Sequence, residues 1–188
     1  RMLYPGEIRH QENRAFQTVL DLDFQRIESA SEIATDPIVL VDHNTPRGFT
    51  GADNLEPVAV VDHHPGNGTG SEFTDVRTAN GSCASILAGY FREMGWEPTS
   101  PDEIQSIEDD TRALSPKVST GLLYGIQSDT KQLTKGCSQE EFTAAGYLYR
   151  GIDEDQLDRI ANPEVDAEVL DVKALAISSR DVRNAFAV

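Results

Sequence analysis

Cationic side chains are scarce in this chain: 188 residues carry 16 lysines and arginines against 32 aspartates and glutamates, a formal charge of −16. No stretch gathers Lys and Arg into a basic face. Grip on duplex nucleic acid, which depends on clustered cations displacing counterions from phosphates, is therefore excluded as an expectation. Cysteine is nearly absent too. Cys83 and Cys137 lie far apart and form no C-x-x-C pair, which argues against a disulfide framework and for a reducing, cytoplasmic setting. No apolar run approaches the roughly 18 residues of a membrane span, so no membrane partner is expected. The opening "RMLYPGEIRH" has no signal-peptide core, and Arg1 stands before Met2; the sequence reads as a piece of a longer protein. Histidine is rare as well, with 4 in all.

The acidic excess is spread along the chain rather than held in a tail, and it suits a heavily hydrated surface. Two readings stand side by side. One is a halophilic host, whose salt screens repulsion among carboxylates; the other is an ordinary acidic cytoplasmic protein.

What is present is a repeated design. "PIVLVDHN" (37–44) and "PVAVVDHH" (57–64) each run from proline through four apolar residues to aspartate and histidine. Continuous apolar runs of this length read as strands buried on both faces of a parallel sheet flanked by helices, an α/β architecture. The segment between them, "HNTPRGFTGADNLE", is long enough for a crossover and awkward for a tight hairpin. Parallel pairing would set Asp42, Asp62, His63 and His64 on one sheet edge, the edge where ligands bind in open α/β sheets.

Helical spacing of Phe16, Val19, Leu20 and Leu22 predicts an amphipathic helix over 11–22. A second helix runs through Ile86, Leu87, Tyr90, Phe91 and Met94, with Asn80 or Ser82 as its cap and Gly95 near its end. A third, over 119–130, delivers Asp129 at its end; a fourth starts at Ser138 with Glu141 completing a capping box. From about Ala161 a linker, a further helix and a truncated strand are predicted.

Carboxylates and neutral imidazoles on a rigid edge suit a divalent cation that bridges phosphate oxygens. Such a mixed shell favours Mn²⁺ or Zn²⁺ over Ca²⁺, and Mn²⁺ or Mg²⁺ for a phosphate ester. Taken alone, Asp42 reads as a helix cap or turn former, and His43 faces solvent or supports a ligand from behind. Two Asp-His strand ends in so histidine-poor a chain tip the balance toward a metal site.

"VLVDHN", "VVDHHPG" and "GIQSDT" resemble, in order, the second, third and fourth motifs of the DHH phosphoesterase superfamily. That superfamily includes RecJ-like exonucleases, short-oligoribonuclease and pAp phosphatases, cyclic-dinucleotide phosphodiesterases and manganese-dependent inorganic pyrophosphatases. The resemblance spans about residues 3–160. It implies that Asp42 bridges two metal ions, that His63 and Asp129 ligate one of them, that His64 contacts the substrate phosphate, and that Asp62 orients the triplet from behind. It also implies a first motif, Asp-x-Asp after a strand. Nothing before Asp42 supplies it, since "LDLDF" lies within or just after a helix, and its expected place is upstream of Arg1. The domains so implied are 1–160, a DHH domain without its first strand and motif, and 161–188, a linker and the start of a small α/β C-terminal domain.

The activity implied is hydrolysis of small phosphate esters by a two-metal (Mn²⁺, or Mg²⁺) enzyme: pAp, a short single-stranded oligonucleotide, a cyclic dinucleotide or polyphosphate. The stretch by itself, without the first motif, is expected to be inactive. Manganese-dependent inorganic pyrophosphatase is the alternative within the class. A non-catalytic nucleotide-sensing domain is the alternative outside it, because relatives couple DHH domains to nucleotide-binding or regulatory domains; an upstream domain of that kind, or a second copy in a homodimer, are the protein partners compatible with the resemblance.

Overall fold

The computed structural model describes residues 1–33, 35–66, 71–107, 112–165, 167–179, 182–183 and 186–187. Strand β1 (Met2–Pro5), helix α1 (Gln11–Val19) and strand β2 (Phe24–Ile27) form a β-α-β unit with the strands parallel, Met2 beside Phe24. The helix stops short of the predicted 22 because the chain turns at Asp21, in a left-handed conformation with φ 45°. Asp21 and Asp23 of "LDLDF" thus precede β2 rather than follow a strand.

The two apolar runs become β3 (Val39–Val41) and β4 (Ala59–Asp62), parallel and in register, Val39 against Ala59 and Val41 against Val61. A further strand, β5 (Phe73–Val76), pairs in parallel on the other side of β4, giving the order β3-β4-β5. One expectation needs correction here. β4 is central, with Val60 0% and Val61 6% exposed, but β3 is not buried on both faces: Val39 is 58% and Val41 49% exposed. The sequence runs look alike, and only the number of neighbouring strands separates them. β5 was not predicted; it follows a glycine-rich stretch whose residues 67–70 lie outside the described residues.

Helix α2 (Cys83–Glu93) is capped by the Ser82 hydroxyl, which accepts from Ser85 N–H at 3.1 Å, and is followed by Gly95 at φ 74°. The short strands β6 (Glu97–Pro98) and β7 (Ala113–Leu114) pair in parallel. Helix α3 (Pro116–Asp129) begins earlier than predicted, at the Ser115 cap with proline at its first turn, where a missing N–H costs nothing. Helix α4 (Gln139–Leu148) has the predicted Ser138–Glu141 capping box. Helix α5 (Glu154–Ala161), capped by Asp153, was not foreseen. Helix α6 (Ala167–Ser178) follows, and the predicted terminal strand is a small antiparallel pair, β8 (Val182–Arg183) with β9 (Phe186–Ala187); the rest of 180–188 lies outside the described residues. Among the described residues, no helix is long and apolar enough to cross a membrane.

Two cores fix the edge of interest. Leu123 and Ile126 of α3 bury with Ala88 of α2 and Leu148 of α4, so the end of α3 that carries Asp129 is held rigidly. Val61, Cys83 and Ile86 join β4 to α2. Truncating a side chain such as Ile126 removes packing that typically stabilises by about 2–5 kcal/mol.

Candidate metal centre at the strand ends

The chain leaves β3 through Asp42, which adopts a left-handed conformation at φ 64° while its N–H still donates to Val61 O at 2.9 Å. Aspartate is one of the few residues that tolerate this region, at a cost of about 1–3 kcal/mol. The turn keeps the carboxylate beside the end of β4 instead of carrying it onward.

β4 ends in Asp62, whose side chain is 0% exposed. Its Oδ1 accepts from His63 N–H at 2.8 Å, His64 N–H at 3.1 Å and His64 Nδ1 at 2.8 Å. Burial pushes this carboxyl up, but hydrogen bonds from the His64 ring and from the His64 and His63 amides outweigh it and hold the pKa below the ordinary 3.8. The ionised carboxylate ties down the bend, and it can only accept, so His64 carries its proton on Nδ1. The two imidazoles then stand with centroids 4.3 Å apart on the same side of the strand end.

The His63 ring is set from the other direction. Its Nδ1 lies 3.3 Å from Asn80 O, and a carbonyl only accepts, so with Nε2 given to a cation Nδ1 would carry the proton there. Nε2 faces Asp42 Oδ1 at 3.3 Å and Asp129 Oδ2 at 4.0 Å. A proton on Nε2 or a cation beside it would meet the two carboxylates. Asp42 Oδ1 is buried and has no hydrogen-bond partner, as is Asp62 Oδ2; unpartnered buried carboxylate oxygens are costly unless a positive charge meets them. Burial, then the nearby Asp42 charge, push Asp129 above the ordinary 3.8, with His63 and His64 working against them. A helix C-terminus is itself unfavourable for a carboxylate, so Asp129 is placed where it lowers stability.

Of the residues singled out in the sequence, Asp42, Asp62, His63, His64 and Asp129 all come to this edge. Among the described residues, Asp42, His63 and His64 form a group that can each offer one ligand atom, all within 4.8 Å of one another. His64, expected at the phosphate, is therefore also within ligand range, while Asp129 joins through His63. The donor set fits a divalent cation.

Three contributors were missed. Asn44 Nδ2 donates to Pro65 O at 3.2 Å, stapling the loop after β3 to the loop after β4. Gly66 permits this, since a Cβ there would lie 2.4 Å from Asn44 Nδ2. Asn80 acts through its backbone carbonyl, which no side-chain pattern announces. Two neighbours are quiet. Burial, reinforced by the charges of Asp42, Asp62 and Asp129, pushes the Cys83 thiol up to about 12, which rules it out as a nucleophile. Arg77, beyond β5, spends its guanidinium on Asp75 at 2.7 to 3.0 Å.

No family model matches the chain. It is 32% identical over 180 residues to the uncharacterized protein MJ1633 of Methanocaldococcus jannaschii, a match covering 95% of this chain and 34% of that protein. The chain thus spans about a third of the length of this curated relative. Among solved structures, a candidate family II inorganic pyrophosphatase of Methanococcus jannaschii is similar with a TM-score of 0.59 at 20% identity, covering 93% of this chain and 53% of that one. An exopolyphosphatase-related protein of Bacteroides fragilis is similar with a TM-score of 0.59 at 16% identity, covering 92% and 56%. At such identities the likeness concerns the fold alone: parallel strands flanked by helices.

Proposed function

We propose that this chain is the metal-binding domain of a phosphoesterase acting on phosphate esters of small nucleotides or short oligonucleotides (pAp, a short single-stranded oligonucleotide, a cyclic dinucleotide) or on polyphosphate. The observation that carries the reading is that His63 Nε2 faces both Asp42 Oδ1 and Asp129 Oδ2, at 3.3 and 4.0 Å, at the C-terminal sheet edge, with Asp42 Oδ1 buried and unpartnered. Asp42, His63 and Asp129 would hold a Mn²⁺ or Mg²⁺ ion. When bound, such ions supply charge against phosphate oxygens and acidify water near neutral pH.

The protein's own groups do the rest. Asp62 holds His64 by Nδ1, which leaves His64 Nε2 as the outward atom; with the ring doubly protonated, Nε2–H would donate to a phosphate oxygen and could pass its proton to it. The His64 side chain is 50% exposed, so substrate can reach it. The net charge of −16 and the sequestered Arg77 favour the small nucleotide substrates over long polyanions, long polyphosphate included. The fold likeness to proteins described as a pyrophosphatase and as exopolyphosphatase-related supports phosphoanhydride or phosphoester hydrolysis as the class, and the first of them keeps inorganic pyrophosphatase as a second reading.

The test is product formation by the intact protein with Mn²⁺, in parallel: phosphate from pAp, polyphosphate and pyrophosphate, and mononucleotides from a dinucleotide. Turnover of a nucleotide substrate or polyphosphate is the expected result. Turnover of pyrophosphate alone would select the second reading, and tight binding of a nucleotide with no turnover of any substrate would replace the enzyme by a sensor.

A further inference from the structure

Glu141 is a capping-box residue by sequence, yet a helix cap accounts for only one of its two oxygens. Oε2 accepts from Ser138 N–H and Ser138 Oγ, both at 2.7 Å. Oε1 points away from α4 and accepts from Gly81 N–H at 2.9 Å, from Ser85 Oγ at 2.7 Å and from Asn80 Nδ2 at 3.4 Å. The side chain is 0% exposed. Burial pushes its carboxyl up, but hydrogen bonds from Ser85, Ser138 and Gly81 outweigh it and hold the pKa below 4.5, so a full negative charge sits beneath this loop.

The loop it grips carries the carbonyl that orients His63. Asn80 O lies 3.3 Å from His63 Nδ1, and residue 81 is wedged from the far side: a Cβ on Gly81 would lie 2.2 Å from Gly136 O and 3.0 Å from Thr130 Cγ2. That opposing wall is the turn following Asp129, which winds through left-handed Lys131, Gln132 and Leu133 at φ 48°, 59° and 59°. The loop therefore has no freedom to slide while Glu141 holds it. A cap of α4 alone would require no contact with residues 80, 81 or 85.

We propose that Glu141 is a positioning residue for the metal centre: its Oε1 fixes Asn80–Gly81 so that the Asn80 carbonyl holds the His63 ring at Nδ1 and aims Nε2 at Asp42 and Asp129. The consequence for metal binding rests on the phosphoesterase reading of this site; the consequence for the orientation of the ring does not.

The experiment compares wild type, Glu141→Gln and Ser138→Ala, first without metal, by two-bond ¹⁵N–¹H correlation of the His63 ring. Wild type and Ser138→Ala should show the same His63 ring pattern, the latter with a lowered melting temperature because it touches only the cap side. Glu141→Gln, which puts an amide among five donor contacts, should change that pattern and should weaken Mn²⁺ binding by calorimetry about 10-fold, the low end for supporting groups behind a metal ligand. A folded Glu141→Gln protein with the wild-type His63 pattern and Mn²⁺ affinity within about twofold would overturn the proposal and leave Glu141 as a cap. Where Glu141→Gln does not fold, Ser85→Ala removes one Oε1 contact and keeps the carboxylate. A measurable change in the His63 pattern supports the proposal, and none overturns it. Wild type that binds no Mn²⁺ would defeat the metal reading while the His63 comparison still decides the role of Glu141.

Discussion

Asp42→Asn is expected to abolish hydrolysis in the intact protein, with the fold and melting temperature preserved or slightly raised. The substituted amide keeps the size of the side chain but presents at most one neutral oxygen to the space it shares with His63 Nε2 at 3.3 Å. A cation held there loses a unit of negative charge where Asp129 is the other nearby carboxylate. Asp42 Oδ1 has no hydrogen-bond partner although the side chain is 48% exposed, and removing its charge lifts the repulsion acting on Asp129. Activity and stability should therefore move in opposite directions, the behaviour of a group kept for function. Phosphate release with Mn²⁺ and a thermal melt on the same preparation check both halves. Wild-type turnover in Asp42→Asn would remove this residue from the centre.

His64→Ala should produce the second largest effect, and of a different kind. The alanine leaves Asp42, His63 and Asp129 in place, so Mn²⁺ affinity should change little, while a group aimed at the phosphate is lost. Loss of one donor to developing charge in other enzymes costs about 10² to 10³ in rate, and the same range is expected in kcat here. The Asp62 carboxylate would keep the His63 and residue-64 amides as donors and lose only the ring contact at 2.8 Å, so the strand end should hold its shape. Calorimetry with Mn²⁺ beside steady-state kinetics separates the outcomes. A variant that loses Mn²⁺ binding altogether would make His64 a metal ligand, in keeping with its place among the three groups within 4.8 Å.

How much of this was legible in the sequence depended on whether the signal was local. Continuous valine-rich runs ending in Asp-His specified parallel strands, because burial against neighbours on a flanked sheet demands apolar residues at every position. The exposure of Val39 and Val41 was not legible, since an edge strand and a central one can carry the same letters. Nor was β5: "FTDV" has two apolar residues in four and becomes a strand because β4 offers it a free edge. Ser115–Pro116 and Asp153 are clear helix starts that could have been read and were not. Asp129 was located through its resemblance to a family motif, because nothing in a helix-terminal aspartate distinguishes a ligand from a solvent-facing residue. Glu141 was half legible. Its capping box is a four-residue pattern, whereas the contact with Gly81 joins residues 60 apart in sequence and is created by the packing of α4 against α2.

The central claim, that Asp42, His63 and Asp129 converge to hold a divalent cation, is tested most directly by anomalous diffraction from crystals of this chain soaked in Mn²⁺. A single well-occupied ion is predicted, bonded at roughly 2.1 Å to at least two of the three side chains. Ion density elsewhere, with these side chains more than about 8 Å apart and so far beyond ligand reach, would contradict the account.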